Sequence, residues 1–333
     1  MAVILSPIVL FAYKRLEHTK QTVSTLAQNH LAAESELICF CDGPRERADI
    51  PAVDAVRAYL KTVTDFKRVT VIEREKNYGL AASVISGVSD VLREHPNLIV
   101  LEDDMLTSPH FIRYMNDGLN KYERVKEVGT IQAYTLPVED MPDFYFMLGA
   151  DCWGWATWRD RWSLLQTDAL DLLRKLYQRR ELVRYDTNGA AGQLNILLGQ
   201  LRGQVSSWHA LWYATTFLHG KLALHPRESF IENIGADGSG THVGGGDLIP
   251  TLLAGEYSGE LPEQISENTA IANTFHDLWE KAYPVGLKGK IWNWSRQHFL
   301  VPFLCHFPGL ARRRFPPRSL AIPDSDRTVI KVK

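Results

Sequence analysis

The stretch Leu98-Ile99-Val100-Leu101-Glu102-Asp103-Asp104 decides the fold. Its four apolar residues read as a strand buried on both faces, the pattern of a parallel sheet covered by helices. Three acids follow without a break. At the end of a buried strand they repel one another and lose water, so something must offset the cost. A hard divalent cation does this, because it takes carboxylate oxygens; magnesium or manganese commonly completes its shell with substrate phosphates. The plain alternative is a solvent-exposed acidic turn, and the apolar run directly before the acids favours the metal.

Working outward, residues 7–13 read as a strand and 17–29 as a helix with Val23 and Leu26 inside. Residues 37–41 form a second strand that ends at the turn signal Asp42-Gly43-Pro44. Val53, Val56 and Leu60 have helical spacing in 52–62; 69–73 is a third strand, and 81–93 a helix that aligns Val84, Val88 and Val91. Beyond the triplet a helix is expected from Pro109, capped by Thr107 or Ser108, and then a fifth strand over 128–133. This alternation predicts an α/β domain whose mixed, mostly parallel sheet is flanked by helices. Such sheets bind ligands beyond the carboxyl ends of their strands, where both Asp42 and the triplet fall.

Composition sets the outer limits. The 333 residues suffice for one large α/β domain, and 45% hydrophobic with 23% charged residues is ordinary for a globular chain. A net charge of −2 argues against a nucleic-acid partner. Cys39, Cys41, Cys152 and Cys305 form no C-x-x-C pair, which leaves zinc-ribbon and redox-motif readings unsupported; Cys39 and Cys41 read as small buried hydrophobes. No apolar run reaches the roughly 18 residues of a membrane span. The apolar opening, broken by Pro7 and lacking a basic lead, reads as a first strand rather than a signal peptide. The expectation is a cytoplasmic protein, peripheral on the inner face of the membrane if its tail docks there.

Past residue 144 the texture changes. Cys152-Trp153-Gly154-Trp155-Ala156-Thr157-Trp158, with Trp162 and Trp208, suits stacking against sugar rings; a tryptophan core is the simpler reading. A glycine-rich stretch over 235–246 holds Asp237 and His242. After about residue 275 the chain is basic and aromatic, with Lys288, Lys290, Arg296 and Arg312-Arg313-Arg314 among Trp292, Trp294, Phe299, Phe303 and Phe307. That mixture suits a membrane-surface segment, against the alternative of a helix packed on the domain.

Individually the remaining candidates have bland readings. Asp42 could accept a hydrogen bond from a base or ribose, or simply form the turn. Arg15 could face a phosphate, or be a solvated helix-start residue. Asn77-Tyr78-Gly79-Leu80 precedes a helix whose first amides favour an anion, or is a plain loop and cap.

Taken together and in order, these pieces carry a resemblance. Phe11-Ala12-Tyr13-Lys14-Arg15, Cys41-Asp42-Gly43, Asn77-Tyr78-Gly79-Leu80, Leu101-Glu102-Asp103-Asp104, Ile131-Gln132-Ala133-Tyr134, Trp153-Gly154-Trp155 and the loop over 233–242 resemble inverting GT-A-fold glycosyltransferases. In particular they are similar to the N-acetylglucosaminyltransferase I-like family and its bacterial relatives in surface-polysaccharide pathways. The resemblance spans roughly residues 7–245. It implies a Rossmann-like GT-A domain over 1–275, with a nucleotide-sugar half (1–135) and an acceptor half (136–275), followed by a basic tail over 276–333. Asp104 would bind Mn2+ or Mg2+; Glu102 and Asp103 would hold ribose, sugar or metal-bound water. Asp42 would meet the uracil of a UDP-sugar, Arg15 and Asn77 would lie beside the nucleotide, and His242 would close on the diphosphate. The acceptor would be a glycan or lipid-linked saccharide.

One position departs from the pattern. The family's general base is an aspartate in a Trp-Asp segment, and the local match, Trp208-His209, carries histidine. Histidine can act as a base near neutral pH. His209 and Asp151 are therefore the base candidates, with Asp186 and Asp237 as rivals. A sugar nucleotidyltransferase or a Rossmann dehydrogenase would need a glycine-rich loop after the first strand, yet the first glycine of the chain is Gly43. A two-carboxylate glycoside hydrolase fits adjacent acids poorly. The alternative from another class is a non-catalytic glycan-binding or scaffold subunit of a polysaccharide-assembly complex.

Overall fold

The computed structural model describes residues 5–138, 140–187, 192–238, 251, 253–282 and 286–315. Its centre is an eight-stranded sheet. The first half supplies β1 (Ile8–Ala12), β2 (Glu36–Cys41), β3 (Arg68–Glu73) and β4 (Asn97–Glu102), all mutually parallel. These strands match the apolar runs read from the sequence to within a residue or two. The short β5 (Met105–Thr107) then leads to β6 (Val128–Gln132), and later residues add β7 (Phe144–Leu148), β8 (Trp155–Trp158) and β9 (Leu222–Pro226). The order across the sheet is β3-β2-β1-β4-β8-β6-β9-β7. β8 runs antiparallel between β4 and β6, and β7 antiparallel at the edge against β9. The sheet is thus mixed and mostly parallel, as expected.

Helices cover both faces because β1 alternates. Ile8, Leu10 and Ala12 face a core shared with Val23 and Leu26 of α1 (Leu16–Ala27), Val56 and Leu60 of α2 (Ile50–Leu60), and Phe111 and Met115 of α4 (Phe111–Lys121). Val9 and Phe11 face the other core, with Val84, Val88 and Val91 of α3 (Leu80–Glu94). α4 begins after His110 without a side-chain cap, so the capping expected of Thr107 or Ser108 gives way: the Ser108 hydroxyl instead donates to the Ala254 carbonyl at 2.6 Å.

The second half adds short α5 (Arg159–Trp162), then α6 (Ala169–Gln178), α7 (Leu182–Tyr185), α8 (Gln193–Arg202) and α9 (Trp208–Leu218). A small antiparallel ribbon joins β5 to β10 (Ile231–Asn233). α10 (Thr269–Ala282) runs through residue 275, so that expected boundary falls inside a helix. α11 (Leu287–Ser295), a π-helical turn over Arg296–Leu300, α12 (Val301–His306) and α13 (Pro308–Arg314) complete the described chain.

The tryptophans settle as core. Trp155, Trp158, Trp162, Trp208 and Trp212 are all at most 5% exposed. Trp155 stacks on Trp208 at 5.0 Å and on Trp162 at 5.6 Å between ring centres. Of the tryptophans offered for sugar stacking only Trp153 keeps a partly exposed ring, set edge-on to Tyr134 at 4.6 Å.

Candidate functional site

Strand order reverses between β1 and β4: from β1 the chain builds outward to β2 and β3, then returns to place β4 on the opposite side. The crevice beyond such a switch point is where open α/β sheets take ligands. Arg15 follows β1, and Glu102-Asp103-Asp104 ends β4, so both sit at this crevice.

The two aspartates are inside the protein, not in bulk water, and Glu102 is partly exposed. Asp103 and Asp104 are 5% and 7% exposed. Arg15 bridges them: its Nη2 bonds Asp103 Oδ1 and lies 2.8 Å from Asp104 Oδ2. The Tyr13 amide donates to Asp103 Oδ2 at 3.3 Å. One guanidinium cannot balance three carboxylates. Burial, then the charges of Asp104 and Asp103, push the Glu102 carboxyl up to about 8, against the opposing pull of Trp208 and Arg15. Burial also raises Asp103, with Arg15 opposing it. For Arg15, burial works against the charge, but Asp103 and Asp104 outweigh it and hold the guanidinium above its ordinary range.

Two buried atoms at this spot have no partner among the described residues: Asp104 Oδ1 and Arg15 Nη1. One is an acceptor and the other a donor. Together with surplus negative charge on oxygen-only ligands, this fits a hard divalent cation accompanied by an anionic ligand group. Glu102, Asp103 and Asp104 are the residues that could hold such an ion.

The described start of the late loop, residues 233–238, lies against the triplet. Ile234 N donates to Asp104 O at 2.9 Å, extending the β5–β10 ribbon. A Cβ on Gly235 would sit 2.1 Å from Asp104 Oδ2 and 3.2 Å from Arg15 Nη1, so only glycine allows this approach. Asp237 pairs with His18 Nε2 at 3.2 Å, which ties the loop to α1 one turn beyond Arg15. This pairing makes Asp237 a tether between the loop and α1. His242 lies outside the described residues.

Asp42 is bonded within the chain. Its carboxylate accepts from Tyr78 N at 2.9 and 3.1 Å, Gly79 N at 2.9 Å and Gly43 N at 3.1 Å. Both oxygens accept amides of the chain itself, which clamps the turn that leads into α3. Asn77 serves the same turn, with Nδ2 donating to Gly43 O at 2.8 Å. Buried Arg74, unremarked in the sequence, lies beneath, over the rings of Phe40 and Tyr78 at 5.0 and 4.6 Å.

The two base candidates meet. Asp151, Cys152 and His209 bring one carboxylate oxygen, one sulfur and one ring nitrogen within 4.8 Å of one another. His209 Nε2 lies 2.9 Å from the Ala150 carbonyl. A carbonyl only accepts, so Nε2 carries the proton and the lone pair of the neutral ring is on Nδ1. Asp151 accepts from the Cys152 amide at 2.6 Å. Burial, then the charges of Asp151 and Glu102, raise the Cys152 thiol far above its ordinary range, so without a cation it stays neutral. An O, S, N donor set suits zinc rather than magnesium or manganese. Asp186, another rival, is fully buried and accepts from Leu194 N at 2.8 Å, in the helical layer of the second half. A cavity of about 560 Å³ lined by Thr135, Asp140, Arg227, Glu228 and Ser229, among others, opens beyond β6 and β9, on the same sheet edge as the triplet.

Neither a family model nor a curated protein matches the chain. Among solved structures it is similar to the mannosyltransferase PcManGT from Pyrobaculum calidifontis in complex with GDP-Man and Mn2+: 13% identity, covering 97% of this chain and 78% of that one, TM-score 0.42. It is also similar to S. aureus TarS 1-349, at 7% identity over 69% of this chain and 61% of that one, TM-score 0.40. Mouse xyloside xylosyltransferase 1 in its apo form gives 11% identity, 47% and 68% coverage, and TM-score 0.31. Likenesses this distant assign no chemistry.

Proposed function

We propose that this chain is a metal-dependent glycosyltransferase that moves a sugar from a nucleotide-sugar donor to an acceptor hydroxyl with inversion. The observation that carries the reading is the largely buried, under-neutralised triplet at the switch point, with one acceptor on Asp104 and one donor on Arg15 unpaired among the described residues. A ligand bearing both a cation and a diphosphate satisfies the two together. UDP as the nucleotide, and a glycan or lipid-linked saccharide as acceptor in surface-polysaccharide synthesis, follow from the family resemblance.

In the proposed reaction the acceptor oxygen forms a bond to the anomeric carbon as the bond from that carbon to the diphosphate oxygen breaks. His209 Nδ1 takes the acceptor proton; the Ala150 carbonyl fixes the tautomer that makes this nitrogen basic. Asp151 stands within reach to orient the hydroxyl or share the proton. Arg15 holds Asp103 and Asp104 in place and offers Nη1 to the departing phosphate. A divalent cation held by the triplet would neutralise charge growing on that leaving group. The closing Gly235 loop excludes water, which favours transfer over hydrolysis of the donor.

Calorimetry with UDP in the presence and absence of Mn2+ tests the site, and release of UDP from UDP-sugars tests the activity. Cation-dependent binding with donor turnover is the expected pair of results. Nucleotide binding that is indifferent to the cation overturns the metal assignment, and binding without turnover on any acceptor favours a scaffold.

A further inference from the structure

Apolar side chains left in water are concentrated in one short segment. Of ten large hydrophobic residues exposed among the described residues, eight fall between Leu287 and Leu310. Leu287 is 77% exposed, Phe299 61% and Ile291 57%, with Trp292, Trp294 and Phe303 each just above half. This far exceeds the scatter of single apolar residues that a soluble surface tolerates.

The segment is not a loose tail. Arg296, Val301, Leu304 and Ala311 are at most 4% exposed, and the three apolar ones join the core of Leu170, Leu173 and Leu197. Arg312 pairs with Asp168, the residue capping α6, at 2.7 Å. α12 and α13 are therefore fixed to the body, while α11, which buries no residue and packs on the π-helical turn, joins their outer faces in presenting aromatic rings outward. Trp294 meets Phe299 edge-on at 5.3 Å, and Phe303 lies 5.2 Å from Phe307.

Charge identifies what covers it. From Leu287 to Phe315 the chain carries six Lys and Arg and no Asp or Glu, in a protein of net charge −2; with Arg296 buried and Arg312 turned to Asp168, Lys288, Lys290, Arg313 and Arg314 are the exposed cations beside the rings. A second copy docked on this face would set two such basic stretches against each other. An anionic lipid surface supplies both complements, phosphate for the cations and acyl chains for the rings. No helix among the described residues is long and apolar enough to cross a membrane, so the contact would lie in the interface plane.

We propose that the exposed face of α11–α13 is a docking platform for anionic membrane surfaces, seated by its aromatic residues and steered by its lysines and arginines. The inference stands apart from the transferase reading, since it uses none of the residues at the triplet or around His209.

The test is co-sedimentation of the full chain with vesicles of phosphatidylcholine alone and of phosphatidylcholine mixed with phosphatidylglycerol. The expected result is binding to the mixed vesicles that is at least about tenfold tighter than to phosphatidylcholine and weakens with salt. Trp292→Ser combined with Phe299→Ser should abolish it while leaving the melting temperature and nucleotide binding intact, as both side chains are exposed. Lys288→Gln with Lys290→Gln should weaken it several-fold. Absence of binding to either vesicle overturns the proposal, as does binding indifferent to the aromatic substitutions. A lipid-free dimer by light scattering that the same substitutions dissolve would assign the face to self-association instead.

Discussion

Arg15 Nη2 lies 2.8 Å from Asp104 Oδ2, yet the other nitrogen of that guanidinium and the other oxygen of that carboxylate are both buried without partners among the described residues. A buried polar atom left unpaired costs about 1–3 kcal/mol, and the cost rises when it belongs to a charged group. Two such atoms of opposite character, on side chains already bonded to each other, mark a place where a ligand completes the structure.

The first expectation concerns that acceptor. Asp104→Asn should lower cation-dependent UDP affinity by about a hundredfold or more, since even groups that only support metal ligands cost 10–100-fold. Titration calorimetry with Mn2+ would show it, and equal affinity in the two proteins would falsify the assignment.

Glu102 gives a pH dependence. Its folded value of about 8 lies above the ordinary 4.5, so folding favours the protonated acid. The stability this lends is fully present below pH 4.5 and is lost as pH rises through about 8. Without divalent cation the melting temperature should decline across that window, and Glu102→Gln should flatten the decline. Mn2+ should restore stability most at the alkaline end, where the carboxylate is free to meet it. A wild-type melting curve flat over the same range contradicts this.

Gly235 admits no side chain. Gly235→Ala drives a methyl into Asp104 Oδ2, a strain of about 1–3 kcal/mol. Because loop and acid move apart, cation-dependent nucleotide binding should fall while the sheet stays intact by circular dichroism. Gly255→Ala, with open space around the added carbon, is the control. If both variants bind UDP and Mn2+ like the parent, the loop does not close on the site.

For the base, His209→Asn should reduce kcat by on the order of a hundredfold or more, leaving donor binding unchanged. Asp151→Asn should show a smaller loss. Zinc should inhibit by occupying Asp151, Cys152 and His209 together, and Cys152→Ala should relieve that inhibition. A histidine variant with full transfer activity removes His209 from the mechanism.

Trp155 is predicted to hold the fold rather than the sugar. Trp155→Ala should cost about 3–5 kcal/mol in denaturant unfolding. Any donor or acceptor effect should follow the loss of folded protein; a selective rise in acceptor KM in a stable variant would reverse the reading.

The first half of the molecule was legible because each strand there is a short apolar run between turn residues, and Leu98-Ile99-Val100-Leu101 becomes β4 almost unchanged. The second half was less so. Nothing in Trp155-Ala156-Thr157-Trp158 says that it turns antiparallel and inserts between β4 and β6; partner choice is a tertiary decision, not a local propensity. The triplet announced itself as charge on an apolar run. Cys152 beside His209, and His18 beside Asp237, carry no local signal, since their partners lie far off in sequence. Nor does local sequence show that Asp42 holds three amides of its own chain, since a carboxylate at a strand end looks the same with or without them.

The insertion of β8 has a consequence for anyone cutting the chain. Among the described residues β6 pairs with β8 and β9 alone, both of which come from later residues, and β4 is covered on its outer edge by β8. A fragment stopped near residue 135 would carry an orphaned β6 and a bare hydrophobic edge on β4, an invitation to aggregate. Expression trials that trim only from the far end, and stop short of β9, are the ones that respect how this sheet is woven.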